Sequence, residues 1–141
     1  MSAAIIAAAR GWLGTPYHHQ AALRGVGCDC VGLVRGVLLD VAGTHVDVLP
    51  DYSPDWGDAT GTEGLVAAAD RWLVPIPVER ARAGDVLGFR WRTGGIVKHC
   101  GILVSGDRMI HAVQGTGTVE VTLGTHWRAR IGAAYRFPGI T

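Results

Sequence analysis

No stretch of the 141-residue chain reaches the roughly 18 consecutive apolar residues that a membrane-spanning helix needs, so no membrane span is expected. Neither sign of charge dominates. Thirteen basic residues against 12 acidic ones leave a net charge of +1, too little for the basic field of a nucleic-acid binder, so nucleic acid is not an expected partner. Lysine is almost missing: Lys98 stands alone beside 12 arginines, a skew that reflects coding composition rather than function. Cysteine is scarce and odd in number. Cys28, Cys30 and Cys100 cannot all pair, and Cys28 and Cys30 are too close to bridge easily, so a disulfide-stapled fold is not expected. No basic residue precedes the short apolar stretch at 3–9, and Arg10, Gly11 and Trp12 follow where a small-residue cleavage site would sit. A secretion signal is therefore not expected, and the chain would be made in the cytoplasm without one. Repeats, low-complexity tracts and charged linkers are missing as well, which leaves one domain over residues 1–141.

What is there is globular: 48% hydrophobic and 18% charged residues exclude wholesale disorder. Residues 3–13 carry Ile5, Ile6, Ala9, Trp12 and Leu13 on one side and read as an amphipathic helix stopped by Gly14, Thr15 and Pro16. A second helix starts at Cys30, with Asp29 where an N-cap belongs, Val34, Val37, Leu38 and Val41 on one face, and Gly43 as its stop. Residues 44–59 read as an ordered loop. Thr60 and Glu63 have capping-box spacing and open a third helix to about Trp72, closed by Pro75 and Pro77. From Asp85 onward the pattern changes to short β-type runs at 85–92, 97–104, 108–114, 118–123 and 131–137. The 21 glycines supply the turns between them. Helices first and antiparallel strands second is the α+β pattern, here with a sheet of about five to six strands.

The chemistry sits in three places. Cys30, in the run GCDCVGLV (27–34), opens a helix, whose N-terminal partial positive charge favours thiolate over thiol and makes a nucleophile near neutral pH. His99, in HCGILV (99–104), is a histidine on a strand that can take the thiol proton and hold it as imidazolium. His111, in MIHA (109–112), lies 12 residues further on the adjacent strand, where a polar group can fix the tautomer and orientation of His99. Cys28 is read as structural. Cys100 alternates with His99 and is expected in the core on the opposite face. His18 and His19 are placed at a loop or substrate rim, and His45 and His126 at the surface. Cys28 and Cys30 have no second pair at zinc-site spacing, so no metal is expected.

Five segments in order, GTPY (14–17), GCDCVGLV (27–34), GDVLGF (84–89), HCGILV (99–104) and MIHA (109–112), resemble the NlpC family of papain-like cell-wall peptidases. The details GVGCDCVGLVRGV and PYHHQ are most similar to the subgroup carried by phages, prophages and gene-transfer particles. The resemblance implies a papain-like α+β fold, Cys30 as nucleophile, His99 as base, His111 as third member, and Tyr17 with Asp29 in the oxyanion and substrate-binding region. It implies a cofactor-free thiol protease acting on peptidoglycan stem peptides, at the D-glutamyl–diamino acid bond. Tail-tip or baseplate proteins of a phage-like particle would be its partners, and delivery with the virion would bring it to the wall in the periplasm. A tail-tip module without turnover, or a peptidoglycan amidase on the same scaffold, are the alternatives. Val31 departs from the family, many of whose members have serine there, in a position tied to binding the stem peptide's amino terminus.

One geometric expectation follows from strand parity. His99 and His111 cooperate only from one face of the sheet. A three-residue loop, Ser105 to Asp107, would pair Val104 with Arg108 and Gly101 with His111, which puts both histidines on one face. The other face would then carry Cys100, Ile102, Val104, Ile110 and Ala112.

Overall fold

The computed structural model describes residues 2–46, 63–92 and 94–139. Most of the expected loop 44–59, with Thr60, lies outside them. Helix α1 (Ser2–Arg10) presents Ile5 and Ala9 to the interior. It stops earlier than its apolar pattern because the chain tightens after Arg10, with Trp12 N–H bonding the Ala9 carbonyl and Leu13 N–H that of Arg10. Trp12 is nevertheless buried, and its indole N–H donates to Asp40 at 3.0 Å.

A short hairpin, β1 (Ala22–Leu23) and β2 (Gly27–Cys28), leads into helix α2 (Cys30–Ala42). Both expected ends of α2 are in place. Asp29 caps it through its side chain, and Gly43 closes it in the left-handed conformation, φ 65°, with its N–H on the Leu39 carbonyl. Helix α3 (Gly64–Trp72) follows, and here the capping-box reading needs correction: Glu63 is itself the cap residue and makes no side-chain cap bond. Its carboxylate instead accepts from the Val97 N–H at 2.8 Å, joining the start of α3 to the central sheet.

Beyond the expected strands, Val74–Ile76 forms a short edge strand, β3, where Pro75 is tolerated because an edge leaves one side of the backbone unpaired. The remaining strands are β4 (Val86–Arg90), β5 (Val97–Ser105), β6 (Arg108–Val113), β7 (Gly117–Thr122) and β8 (Ile131–Arg136), with a one-turn helix α4 (Thr125–Arg128) before β8. Six strands pair antiparallel in the order β3-β8-β4-β5-β6-β7. Among the described residues no helix is long and apolar enough to cross a membrane.

The sheet is apolar on both faces, which is why β5 reads as a nearly continuous buried run rather than an alternating one. One face carries Cys100, Ile102, Val104, Ile110 and Ala112, as parity predicts, in a cluster with Ile5, Trp12, Leu33 and Val37 of the helical layer. The other carries Leu87, Phe89, Leu103 and Met109, covered by Leu123 and Trp127. Asp85 locks the sheet's frame. Its buried carboxylate takes two hydrogen bonds from Arg136, at 3.0 and 2.9 Å, and one from the Arg82 N–H.

The β5–β6 turn differs from the expected loop. Ser105 pairs with Arg108 across a two-residue turn, and a bulge then shifts the register so that Leu103 pairs with Met109 and Ile102 with Ile110. A two-residue turn alone would rotate every side chain of β6 to the wrong face; the extra residue, Val104, restores the parity. The expected register at the histidines is reached by another route.

Candidate active site

Three structural devices bring the site together. The first is the cap of α2. Asp29 Oδ1 accepts from Gly32 N–H at 2.7 Å and Oδ2 from Gln20 N–H at 2.8 Å, so the carboxylate ties the loop at 20 to the helix start. Cys30 is thereby held at the first helical position, where the backbone N–H groups are unpaired within the helix and point at any anion. The second is the strap formed by residues 14–18. Gly14 N–H bonds the Thr118 carbonyl, Thr118 N–H that of Thr15, Cys28 N–H that of Pro16 and His18 N–H that of Cys28. These bonds fix Tyr17 beside Cys28. The third is the β5–β6 register, which puts His99 and His111 on one face.

The histidine pair is in direct contact: His99 Nε2 stands 2.8 Å from His111 Nδ1, with ring centroids 5.0 Å apart. Both residues are buried. Burial, and then the charge of His99, push the pKa of His111 down to about 3. His111 is therefore the neutral partner, accepting at Nδ1 from His99 Nε2–H. That arrangement leaves His99 Nδ1 for the sulfur. Gly101 makes room: a Cβ there would come within 3.0 Å of Met109 Sδ and 3.3 Å of His111 Cβ.

Cys30 and His99 line one cavity of about 210 Å³ with Tyr17, His19, Asp29 and Trp91. His99 shares this cavity with the Cys30 thiol, and the Cys100 thiol donates to the Cys30 backbone carbonyl at 3.4 Å. Donation from Cys100 and then the hydrogen bond and charge of His99 outweigh burial, which opposes ionisation, and lower the Cys30 pKa to about 5. Interaction with Cys30, and then burial, push the Cys100 thiol the other way, well above the ordinary thiol range. Tyr17 is pushed up to about 12, by burial first and then by the negative charges of Cys30 and Asp29. It keeps its proton and can donate a hydrogen bond into the cavity.

Cys30, His99, His111, Tyr17 and Asp29 thus surround one locus, with His111 behind His99. Asp29 is nearly solvent-free and both its oxygens serve backbone N–H groups, so its part is to hold the helix start. His19 lines the cavity, with Nδ1 3.8 Å from Asp29, while His18 packs against Gly27. His45 and His126 are exposed. Cys28 is fully buried with its sulfur 3.3 Å from Thr118 Oγ1. Val31 turns away from the cleft into a small apolar void of about 50 Å³ between α2 and α3.

Two features escape sequence reasoning. Cys100 is in the core as expected, but the face it occupies is the one α2 packs on, so its thiol reaches the Cys30 carbonyl at 3.4 Å. The His99 ring is also boxed by aromatics: Trp91 stacks on it at 5.0 Å and 24°, with Trp127 at 5.6 Å and Phe89 at 6.1 Å. These rings hold the imidazole in place and keep water from its faces. Chemically, the arrangement can form a thiolate–imidazolium pair, with N–H and O–H donors for a developing oxyanion.

Comparison with known proteins follows the same lines. The model of the NlpC/P60 family matches residues 14–136. The solved NlpC/p60 domain of the peptidoglycan hydrolase SagA is 27% identical, with a TM-score of 0.69 over 97% of this chain and 99% of that one. A Staphylococcus aureus protein described as similar to lipoprotein, of the NLP/P60 family, is 26% identical at a TM-score of 0.64, over 96% of this chain and 41% of its own. An NlpC/P60 family protein from Bacillus cereus, 21% identical, shares the fold at a TM-score of 0.68, over 97% of this chain and 40% of its own. The chain therefore spans nearly all of the first and about two fifths of the other two. No curated protein matches it.

Proposed function

Because the chain belongs to the NlpC/P60 family, with its papain-like α+β fold, we propose that it is a cell-wall hydrolase of the cysteine type that cleaves an amide bond in peptidoglycan stem peptides. The observation that carries this reading is one juxtaposition. A cysteine at the first position of a helix shares a cavity with a histidine whose far nitrogen is held, 2.8 Å away, by a second and neutral histidine.

In this reading the Cys30 thiolate attacks the amide carbonyl carbon, and the carbonyl oxygen becomes an oxyanion. The Cys30 N–H and the Tyr17 hydroxyl donate to it. His99, as imidazolium, passes its proton to the leaving amine as the C–N bond breaks, leaving a thioester on Cys30. Neutral His99 then takes a proton from water, the hydroxide adds to the thioester, and collapse returns the acid product and the thiolate. His111 keeps the His99 ring in the productive tautomer throughout.

The bond proposed is that between D-glutamate and the diamino acid, which rests on the family resemblance of the motifs. Mass spectrometry of purified peptidoglycan after digestion tests reaction class and bond together. New stem-peptide fragments are expected with the wild type and none with Cys30→Ala. Unchanged peptidoglycan with both would overturn the reading and favour a binding module.

Delivery as part of a phage-like tail, with action in the periplasm, is proposed from the motif details GVGCDCVGLVRGV and PYHHQ. Proteomics of purified particles from the producing host should find the chain. Its absence there, with free protein in the medium, would overturn this part alone.

A further inference from the structure

The catalytic cavity does not end at His99. Trp91 and Lys98 line both it and a neighbouring space of about 220 Å³, whose other walls are Arg92, Gly95 and Ile96. Arg92, Gly95 and Ile96 in turn line a third space of about 410 Å³ that Arg90 and Arg130 also face. The three spaces share walls in sequence and lead from the reacting sulfur past His99. Four cations border this run, Lys98, Arg92, Arg90 and Arg130. Two carboxylates stand on the same walls: Glu63 accepts from Val97 N–H, and Asp29, in the catalytic cavity, from Gln20 and Gly32 N–H.

Lys98 owes its place to a local irregularity. Phe89 pairs with His99 and Arg90 with Val97, so Lys98 is the unpaired, bulged residue of β5. A bulge re-aims the side chain of the extra residue and is a recurrent device beside reacting groups. Here the single lysine of the chain is set next to the catalytic base candidate. Trp91, 45% exposed, stacks on the His99 ring and forms the wall between the catalytic cavity and its extension.

The direction of the run identifies what it would hold. The histidine that protonates the leaving amine must stand on the leaving-group side of the scissile bond. Tyr17, His19 and Asp29 line the catalytic cavity but not the extension, whereas Lys98 and Trp91 line both. The extension therefore accepts the residue whose amine departs.

We propose that this basic extension is a subsite for a carboxylate on the leaving-group residue of the substrate, with Lys98 as its first contact and Trp91 as its wall. The inference rests on the stem-peptide reading above and adds the charge class of the leaving residue. Lys98 and Arg92 also interact with other groups of the chain. An arriving carboxylate competes with those interactions, so the expected selectivity is about tenfold rather than the larger factors of a dedicated, fully desolvated pair.

The test compares two synthetic stem peptides that differ only in the leaving residue, one with free carboxylates and one amidated. Wild-type kcat/KM is expected to favour the free acid by about tenfold at low ionic strength, mostly through KM, and the ratio should shrink as salt is raised. Lys98→Gln should bring the ratio toward one and Lys98→Glu should invert it. The salt dependence of the wild-type ratio is an independent readout should either variant fold poorly. Cleavage of both peptides by wild type within a factor of two, or a ratio unmoved in Lys98→Gln, would overturn the subsite and leave the stem-peptide reading standing. Cleavage of neither peptide would overturn both.

Discussion

Replacing Gly32 by alanine puts local and tertiary preference in direct opposition. Gly32 lies inside α2, where alanine is intrinsically better than glycine by about 1 kcal/mol. On helix propensity alone, Gly32→Ala should stabilise the protein. The surroundings say otherwise. A Cβ at Gly32 would stand 1.8 Å from the Ala21 carbonyl oxygen and 2.9 Å from its carbon, where contacts under 3.0 Å are essentially never found. That carbonyl is not free to move, because it accepts from the Asp29 N–H, and the neighbouring Gln20 N–H bonds the Asp29 carboxylate. Pushing it away disturbs the cap that sets Cys30. Overpacking of this kind costs roughly 1–3 kcal/mol and a weakened cap about 1 more. After the propensity gain, a net loss of about 2 kcal/mol is expected, or roughly 6 °C in Tm for a chain of this size. Displacing Cys30 by about 1 Å should also lower kcat/KM on the order of a hundredfold. Gly36→Ala is the companion experiment. Its Cβ would meet the buried Trp12 ring at 2.0 Å, away from the reacting groups, so stability should fall with a much smaller effect on kcat. Urea unfolding and thermal melting measure the first effect, steady-state kinetics the second. A Gly32→Ala protein that melts at or above wild type would refute the close approach of α2 to the 20–22 loop.

Other expectations follow from the same geometry. Asp85→Ala leaves Arg136 and the Arg82 N–H without their acceptor and should lower the denaturant midpoint; an unchanged midpoint would show that the pair does not brace the sheet. His111 is held neutral down to about pH 3 against an ordinary value near 6.5, so the unfolded chain binds the extra proton between those limits. Stability should therefore fall as pH drops below 6.5, by up to roughly 1.4 kcal/mol per unit from this group, and His111→Asn should flatten that slope. The kcat/KM profile should be bell-shaped, its acid limb set by formation of the Cys30 thiolate near pH 5 and its alkaline limb by loss of the pair's remaining proton; a rate that only climbs through pH 9 would contradict the ion pair.

Much of this site was legible in the sequence because its parts sit in local signals. Asp29, Cys30 and Gly43 are written as cap, first residue and stop of one helix. His99 and His111 fall on β-type runs, and parity decides their common face. What was not legible arises where two elements meet. The Val104 bulge exchanges one route to a register for another, and nothing local distinguishes them. Cys100 meets Cys30 because both faces of the sheet are covered, so the face opposite the histidines is a helical interface. Trp91 follows β4 and Trp127 belongs to a one-turn helix, segments without periodicity, and only the folded chain brings both indoles over His99. Glu63 read as a helix-capping acid because its partner, the Val97 N–H, is 34 residues away.

The central claim is that Cys30 is an activated thiolate paired with His99, and the pH dependence of its alkylation tests it most directly. Native protein is reacted with iodoacetamide across pH 4–9 and the modified residue located by peptide mapping. The account predicts modification at Cys30 alone, with a rate that reaches half its plateau near pH 5, while His99→Ala moves that midpoint up toward the ordinary thiol value of about 8.5. Labelling that begins only near pH 8.5 in the wild type, or that falls first on Cys28 or Cys100, would contradict it.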